Sequence, residues 1–231
     1  MKKRKEEKEF ENYLSTGELS HIKLKPRQVE LLKKIRESNV ISVTGYAGTS
    51  KTFVACYTAL ESYAKGEVKK IVLTKPTIES GEPIGFLPGS LHEKIAPYME
   101  SFVSNMEKMI GKEKLTLLVN KGIIEMRPFS YMRGVTFDDS FCILDEAQNS
   151  DLRQLVLFVT RMGNNSKVVV CGDTSQYDRY KNRHDFSTFF SMMKGIEGVS
   201  EFSFERSDIV RHPILIEMTD RYEKYKSEHR E

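Results

Sequence analysis

The chain contains 231 residues, of which 36 are Lys or Arg and 33 are Asp or Glu, so its formal net charge is only +3. This balance excludes strong global attraction to nucleic acid, and any such contact must come from local basic patches. Hydrophobic residues make up 39% and charged residues 30%, which is typical of a globular chain rather than a disordered one. No stretch approaches the roughly 18 apolar residues that a membrane span requires. The length predicts one large domain with a full core.

The cysteines indicate the compartment. Cys56, Cys142 and Cys171 are odd in number, widely spaced and surrounded by apolar residues. This usage argues against a disulfide framework or a zinc site and for a reducing environment. The lysine-rich start has no apolar segment behind it, which is unlike a secretory signal. We therefore expect a cytoplasmic protein with no membrane partner.

The hydrophobic pattern divides the chain into a charged arm at residues 1–20, expected to fray, and a single domain at residues 21–231 that ends in a helix. In the domain, β-branched runs alternate with segments of helical period, which predicts an α/β fold with a mostly parallel sheet and helices on both faces. Strands are predicted at residues 40–44, 71–74, 123–126, 141–145, 167–171 and 201–204. Helices are predicted at residues 27–37, 51–65, 91–109, 112–121, 151–162, 186–194 and 213–227.

The first strand leads through a Gly-rich loop into a helix, which is the context that a phosphate-binding loop requires. The loop residues are Gly45, Tyr46, Ala47, Gly48, Thr49, Ser50, Lys51 and Thr52. Small residues let backbone N–H groups surround a phosphate, Lys51 is expected to bridge the terminal phosphates, and Thr52 to bind Mg²⁺. The usual pattern has Gly where this chain has Ser50, and we expect a right-handed backbone there because the position starts a helix. An ordinary Gly-rich turn is the alternative.

Two later strands end in polar residues. The strand at 141–145 ends in Asp145, followed by Glu146, and neighbouring strand residues point to opposite faces. Asp145 is expected to hold Mg²⁺ through water, and Glu146 to polarise the attacking water. The strand at 167–171 delivers Asp173 and Gln176 to the edge where open α/β sheets bind ligands, and Gln176 is expected to sense the γ-phosphate. A helix cap and a simple turn are the alternatives.

These motifs carry a family resemblance. Asp145-Glu146-Ala147-Gln148 with Gly172-Asp173-x-x-Gln176 resembles the pairing in superfamily 1 helicases. More narrowly, stretches between about residues 25 and 222, among them Gly85-Phe86-Leu87-Pro88-Gly89 and Asp208-Ile209-Val210-Arg211-His212-Pro213, resemble the PhoH family of P-loop ATPases. The resemblance implies a RecA-like core, ATP hydrolysis and a link to RNA or single-stranded DNA.

The resemblance also implies roles for two residues outside the loops. Arg211 matches the family's final motif, and an Arg placed against the γ-phosphate neutralises charge that develops in phosphoryl transfer. Gln28 stands where helicase-like ATPases read the adenine edge with an amide. A salt bridge is the alternative for Arg211, and helix capping is the alternative for Gln28.

Basic residues near the site are candidates for nucleic-acid contacts. They are Lys75, Arg133, Arg161, Arg179 and Arg183. Tyrosines are interleaved with them, and phosphate pairing combined with base stacking suits sequence-tolerant binding of single strands. A solvated charged loop is an equal alternative for residues 179–183.

Together these observations predict a nucleic-acid-dependent, helicase-like ATPase. A nucleotide-gated scaffold with weak turnover and a small-molecule P-loop kinase are the alternatives. Because Glu146 directly follows Asp145, we expect an extra strand between the strand before the loop and the acidic strand. Since the chain holds one RecA-like domain, we expect a head-to-tail homo-oligomeric ring, with a hexamer favoured, in which Arg211 reaches a neighbour's nucleotide.

Overall fold

The computed structural model describes residues 11–76, 91–173, 185–210 and 212–228. Within them, six strands form one sheet. The strands are β1 (Val40–Thr44), β2 (Lys70–Thr74), β3 (Ile124–Met126), β4 (Ser140–Leu144), β5 (Lys167–Gly172) and β6 (Val199–Ser203). The α-helices are α1 (Pro26–Glu37), α2 (Lys51–Ala64), α3 (Leu91–Ile110), α4 (Lys112–Asn120), α5 (Leu152–Val159), α6 (Asp185–Met193) and α7 (Pro213–Glu228). Each predicted element is present, with its ends displaced by a few residues at most.

The sheet has the strand order β3-β2-β4-β5-β1-β6, and every neighbouring pair is parallel. Parallel neighbours need long crossover connections, which helices supply in most of this chain. Strand β5 lies between β1 and β4, which confirms the expected extra strand. Because all strands run the same way, the loops after β1, β4 and β5 meet at one edge of the sheet.

Both faces of the sheet are covered. In β4, Phe141 and Ile143 belong to a core cluster shared with α1 to α4, whereas Cys142 and Leu144 belong to a second cluster shared with α5 and α6. This alternation follows from the two-residue period of a strand, and runs without polar residues arise because both faces are buried. The α/β class with helices on both faces is therefore confirmed.

The first described residues pack on the domain rather than extending from it. Leu14 and Leu19 are buried in the larger core cluster. The Asn12 side chain donates a hydrogen bond to the carbonyl of Ala64 at 2.8 Å. The core therefore begins before the predicted boundary at residue 21, because two leucines in a charged context are enough to anchor residues 11–20.

Helix α5 is shorter than the sequence predicts. It begins after Asp151, whose carboxylate accepts a hydrogen bond from the Gln154 N–H at 2.7 Å, and it ends at Val159. The predicted last residue, Met162, instead forms a β-bridge with Phe137. No helix in the described residues has the length and apolar composition needed to cross a membrane.

Candidate functional site

The loops that follow β1, β4 and β5 surround a cleft of about 490 Å³ at the carboxyl edge of the sheet, and α3 forms its opposite wall. The cleft is lined by Ala47, Gly48, Ser50, Lys51, Thr52, Phe53, Ser101, Asn105, Lys108, Asp145, Glu146, Gly172, Asp173 and Val210. Five side chains that the sequence assigned to three separate loops are thus brought together: Lys51, Thr52, Asp145, Glu146 and Asp173.

The loop after β1 curves around the ammonium of Lys51. The Lys51 Nζ donates hydrogen bonds to the carbonyl oxygens of Gly45 at 2.6 Å and Tyr46 at 3.0 Å. Thr49 is buried, and its hydroxyl donates to the same Tyr46 carbonyl at 2.8 Å. Helix α2 begins at Lys51, so its positive N-terminus faces the cleft. A cation and a helix N-terminus at one place are what an anionic phosphate group requires.

Ser50 adopts a left-handed backbone, with φ 71° and ψ 23°. The expectation of a right-handed backbone at this position is therefore wrong. The Ser50 carbonyl already accepts the first helical bond, from the Val54 N–H at 3.0 Å, while the residue itself still belongs to the turn that reverses the loop into α2. A left-handed backbone costs a non-glycine residue about 1–2 kcal/mol, which explains why glycine is the usual residue here.

We expect the Ser50→Gly substitution to raise the free energy of unfolding by up to about 1 kcal/mol. Relief of left-handed strain, about 1–2 kcal/mol, exceeds the roughly 0.4–1 kcal/mol that glycine loses through the greater entropy of the unfolded chain. Denaturant unfolding of both proteins measures the difference. Ser50→Ala is the control, since it removes the hydroxyl but keeps the Cβ, and it should bring no gain. A Ser50→Gly protein that is less stable than the parent would contradict the strain argument.

Thr52 and Asp145 provide a set of oxygen atoms suited to magnesium. The Thr52 hydroxyl donates to Asp145 Oδ1 at 2.9 Å, and both side chains line the cleft. Magnesium prefers oxygen ligands and is usually held by one or two protein groups together with substrate phosphates. The residues present therefore fit a magnesium ion that enters with a nucleotide. The other carboxylate oxygen, Oδ2, lies 3.3 Å from the Nζ of Lys75.

Glu146 and Asp145 occupy different environments, since Glu146 is exposed and Asp145 is buried. The cause is not strand alternation, because β4 ends at Leu144 and Glu146 is left-handed with φ 56°. Gln148 Nε2 donates to Glu146 Oε2 at 2.7 Å, and Gln148 Oε1 accepts the Asp173 N–H at 2.9 Å. Gln148 therefore links the loops after β4 and β5. Sequence reasoning gave it no role, although it ends the Asp-Glu-Ala-Gln motif.

The wall formed by α3 was missed by the sequence analysis. Ser101, Asn105 and Lys108 line the cleft, whereas Phe102 and Met106 of the same helix lie in the core. The Ser101 hydroxyl oxygen is buried and has no hydrogen-bond partner among the described residues. Spacings of three and four residues place side chains on one helical face, so this polar stripe could have been recognised from the sequence.

The three thiols are buried and unpaired. Burial raises the pKa of Cys142 to about 12, with the Glu125 carboxylate adding to the effect. Burial also raises the pKa values of Cys56 and Cys171, and for both thiols the Asp145 carboxylate adds to it. Thiols with such raised pKa values stay protonated, so they behave as small apolar side chains of the core.

Comparison with protein-family models identifies the chain. A model described as PhoH-like protein matches residues 22–223, which include all three loops of the cleft. The chain belongs to the PhoH-like protein family. The family resemblance inferred from the motifs is thereby confirmed.

Curated members of the PhoH-like family match between 65% and 86% of this chain at moderate identity. The PhoH-like protein of Bacillus subtilis (strain 168) is 39% identical over 198 residues, which cover 85% of this chain and 62% of the relative. The PhoH-like protein of Synechocystis sp. is 36% identical over 200 residues, covering 86% and 61%. Protein PhoH of Escherichia coli (strain K12) is 38% identical over 153 residues, covering 65% and 43%. The chain thus spans about three fifths of the length of the first two relatives.

Solved structures show weaker similarity. The Pif1 helicase from Candida albicans matches with a TM-score of 0.40 and 19% identity, covering 81% of this chain and 41% of that one. The flagellar accessory protein FlaH from Methanocaldococcus jannaschii matches with a TM-score of 0.29 and 12% identity, covering 82% and 73%. The α/β fold follows from the parallel strand order and register of the sheet.

The three candidate nucleic-acid residues that the structure describes, Lys75, Arg133 and Arg161, differ in position and exposure. Lys75 is not available at the surface around the cleft, because its side chain is only 14% exposed and pairs with Asp145. Arg161 follows α5 and lies at the amino edge of the sheet, where its carbonyl accepts the Phe137 N–H at 2.8 Å. Arg133 is exposed on the connection between β3 and β4. Of these three, Arg133 keeps the exposure that a phosphate contact needs.

Several predicted residues lie outside the described residues. They are Gln176, Arg179, Arg183 and Arg211. Gln28 is described, and its Oε1 accepts the Lys25 N–H at 2.8 Å, which is the capping interaction considered as its alternative role. Within the described part of the chain, Gln28 is not among the residues that line the cleft. Adenine recognition by Gln28 stays a prediction.

Proposed function

We propose that this PhoH-like chain binds ATP with Mg²⁺ in the cleft and hydrolyses the terminal phosphoanhydride bond. One observation carries the proposal: a loop lysine, a hydroxyl–carboxylate pair and an exposed carboxylate, from two segments that are far apart in the sequence, line the same cleft. These are the groups that phosphoryl transfer to water requires, since catalysis depends on positioning and on neutralising phosphate charge.

Each side chain has a separable task. Lys51 exchanges its carbonyl partners for phosphate oxygens, which hold its ammonium more strongly because they carry full charge. When bound, Mg²⁺ neutralises and orients the phosphates, and Thr52 with Asp145 would hold it. Glu146 polarises the water that attacks the γ-phosphate. Gln148 fixes the Glu146 carboxylate and joins it to the Asp173 backbone.

We further propose that nucleic acid, either RNA or single-stranded DNA, stimulates the ATPase, and that the enzyme is helicase-like. The exposed pair Tyr131 and Arg133 supports this, because it offers an aromatic ring and a cation for stacking and phosphate pairing. The buried, reduced thiols support a cytoplasmic location.

Assembly into a homo-oligomeric ring, with a hexamer favoured, is also a proposal. Val210 lines the cleft, and its N–H donates to the Gly48 carbonyl at 3.0 Å. Val210 belongs to the final family motif and directly precedes Arg211 in the sequence, so part of this motif lies at the edge of the cleft. In a head-to-tail ring, this margin of the cleft would lie at the contact between two copies. Light scattering of the purified protein measures the number of copies.

The steady-state rate of phosphate release, measured with and without RNA, single-stranded DNA and duplex DNA, tests the proposed function. We expect magnesium-dependent ATP hydrolysis that rises several-fold with one of the single-stranded ligands. The Lys51→Ala variant is the control for contaminating ATPase, because it removes the ammonium from the loop.

Two other results would point to the alternatives. Nucleotide binding without phosphate release would favour the nucleotide-gated scaffold and would contradict the proposed ATPase. Phosphate transfer to a small acceptor, detected as a phosphorylated product, would favour the kinase.

A further inference from the structure

The ammonium of Lys75 forms an ion pair with the carboxylate oxygen of Asp145 that is not bonded to Thr52. Lys75 Nζ lies 3.3 Å from Asp145 Oδ2, and the two side chains are only 14% and 5% exposed. The sheet fixes this meeting, because Lys75 directly follows β2 and Asp145 directly follows β4, its neighbour. The Asp145 N–H also donates to the Thr74 carbonyl at 3.0 Å. This hydrogen bond continues the pairing of β2 with β4 as far as Asp145 and holds it beside Lys75.

The surroundings leave the Lys75 ammonium few other partners among the described residues. Its Nζ lies 5.5 Å from the centre of the Phe102 ring on α3, in a cation–π arrangement. The other oxygen of Asp145 accepts the Thr52 hydroxyl. The carboxylate is therefore bound on both sides, by a hydroxyl at Oδ1 and by an ammonium at Oδ2.

A buried carboxylate is costly unless a cation compensates it, and Lys75 supplies that compensation within the chain. Asp145 is also the carboxylate that the proposed function assigns to Mg²⁺. Two cations beside one carboxylate repel each other, and the repulsion is stronger in a poorly hydrated site than in water. The Lys75 ammonium and the metal ion therefore compete for the Asp145 carboxylate, because binding of one weakens binding of the other.

We propose that Lys75 is a positioning residue that acts as an internal counter-ion: it holds Asp145 before Mg²⁺ binds and competes with Mg²⁺ for the same carboxylate. This inference rests on the proposed function. Lys75 thereby sets the concentration of Mg²⁺ that nucleotide binding needs. When the metal binds, the ammonium moves away from Oδ2 and keeps its contact with the Phe102 ring.

The direction of the effect separates competition from a merely structural role. We expect Lys75→Met to lower the Mg²⁺ concentration for half-maximal binding of a fluorescent ATP analogue by about threefold or more, since it removes a competing charge. Lys75→Arg keeps the charge and should stay near the parent value. If Lys75 only supported the fold, its loss would loosen Asp145 and raise the Mg²⁺ requirement.

Lys70→Met is the matched control. Lys70 lies at the start of β2, the strand that Lys75 follows, and it pairs with the Glu125 carboxylate at 2.6 Å rather than with Asp145. Its loss should leave the Mg²⁺ requirement unchanged. The same analogue is used throughout, so formation of the Mg²⁺–nucleotide complex in solution is common to all proteins.

Thermal unfolding gives a second measurement that needs no catalysis. With EDTA, Lys75→Met should unfold at a lower temperature than the parent, because Asp145 has lost its counter-ion. Addition of Mg²⁺ with the non-hydrolysable analogue should raise the unfolding temperature of Lys75→Met more than that of the parent. Lys75→Gln serves if the methionine variant does not fold.

The failure of this inference and the failure of the proposed function give different results. A parent protein that binds the analogue in a Mg²⁺-dependent way, with a Lys75→Met variant whose Mg²⁺ requirement is unchanged or raised, overturns the competition alone. A parent protein that binds no nucleotide overturns the proposed function, and the inference that rests on it falls as well.

Discussion

Replacement of Glu146 by glutamine is expected to lower ATP turnover by at least about 100-fold and to leave nucleotide affinity nearly unchanged, since general bases contribute about 10²–10⁴ to rate. Glutamine has the same shape as glutamate but cannot accept a proton. Glu146 is exposed at the cleft, and Gln148 holds its carboxylate at 2.7 Å. Phosphate release at saturating ATP measures turnover, and a fluorescent analogue measures affinity.

Glu100→Gln is a suitable control for the change of charge. Glu100 is exposed on α3 and directly precedes Ser101, yet it is not part of the described lining of the cleft. Its turnover should equal that of the parent. If Glu146→Gln also hydrolyses ATP at the parent rate, the water-activating role belongs to another residue, and the assignment made from the acidic strand end is wrong.

Gln148 positions Glu146 for this role. It donates to Glu146 and accepts from the Asp173 backbone, so the loops after β4 and β5 are joined through a single amide. Glu146 is also left-handed, a backbone conformation that costs a non-glycine residue free energy and that recurs at functional sites. The surrounding contacts therefore stabilise an unfavourable backbone conformation at Glu146, and the hydrogen bond from Gln148 fixes the orientation of its carboxylate.

The sequence predicts the strands and the three loops well because the physical signals are local. The runs that became β1, β4 and β5 are apolar, those of β1 and β5 are also rich in β-branched residues, and each run is bounded by polar or glycine residues. Parallel strands place their carboxyl ends at one edge, so the meeting of Lys51 with Asp145 could be inferred once the strands were known.

The wrong or missing predictions depend on tertiary contacts. Ser50 was expected to follow the rule for helix starts, but the reversal of the loop requires a left-handed residue. Lys75 was named with other basic residues near the site as a candidate for nucleic-acid contact, whereas the register between β2 and β4 puts its side chain against Asp145. Leu14 and Leu19 are isolated in a charged segment, and only the surface formed by other elements buries them. None of these contacts leaves a periodic trace in the sequence.

The Gly45→Ala substitution is expected to lower the free energy of unfolding by about 3 kcal/mol and to weaken nucleotide binding, because overpacking costs about 1–3 kcal/mol and a positive φ about 1–2 kcal/mol. Gly45 has φ +142°, and a Cβ there would lie 2.7 Å from the Cβ of Phe204 and 3.0 Å from its carbonyl oxygen. Denaturant unfolding and titration with the fluorescent ATP analogue measure the two effects.

The crowding caused by alanine at position 45 cannot be relieved by moving the end of a flexible side chain, because the atoms that the added Cβ would meet are the Cβ and backbone atoms of Phe204. That residue is buried, packs edge-on against the Phe202 ring at 5.0 Å, and donates its N–H to the Thr44 carbonyl at 2.9 Å. Any shift of Phe204 therefore disturbs the pairing of β6 with β1, while a shift of Gly45 moves a carbonyl that holds the Lys51 ammonium.

Gly122→Ala separates crowding from backbone strain in this experiment. Gly122, which follows α4, also has a positive φ, +68°, but a Cβ there would meet no atom within 4 Å among the described residues. Its substitution should cost about 1 kcal/mol or less, since the strain of the left-handed region is partly offset by the lower entropy of the unfolded chain. Equal losses of stability in the two variants would show that the approach of Phe204 to the loop contributes nothing. A much larger loss for Gly45→Ala, accompanied by weaker nucleotide binding, would show that β6 presses on the phosphate-binding loop closely enough to fix its shape.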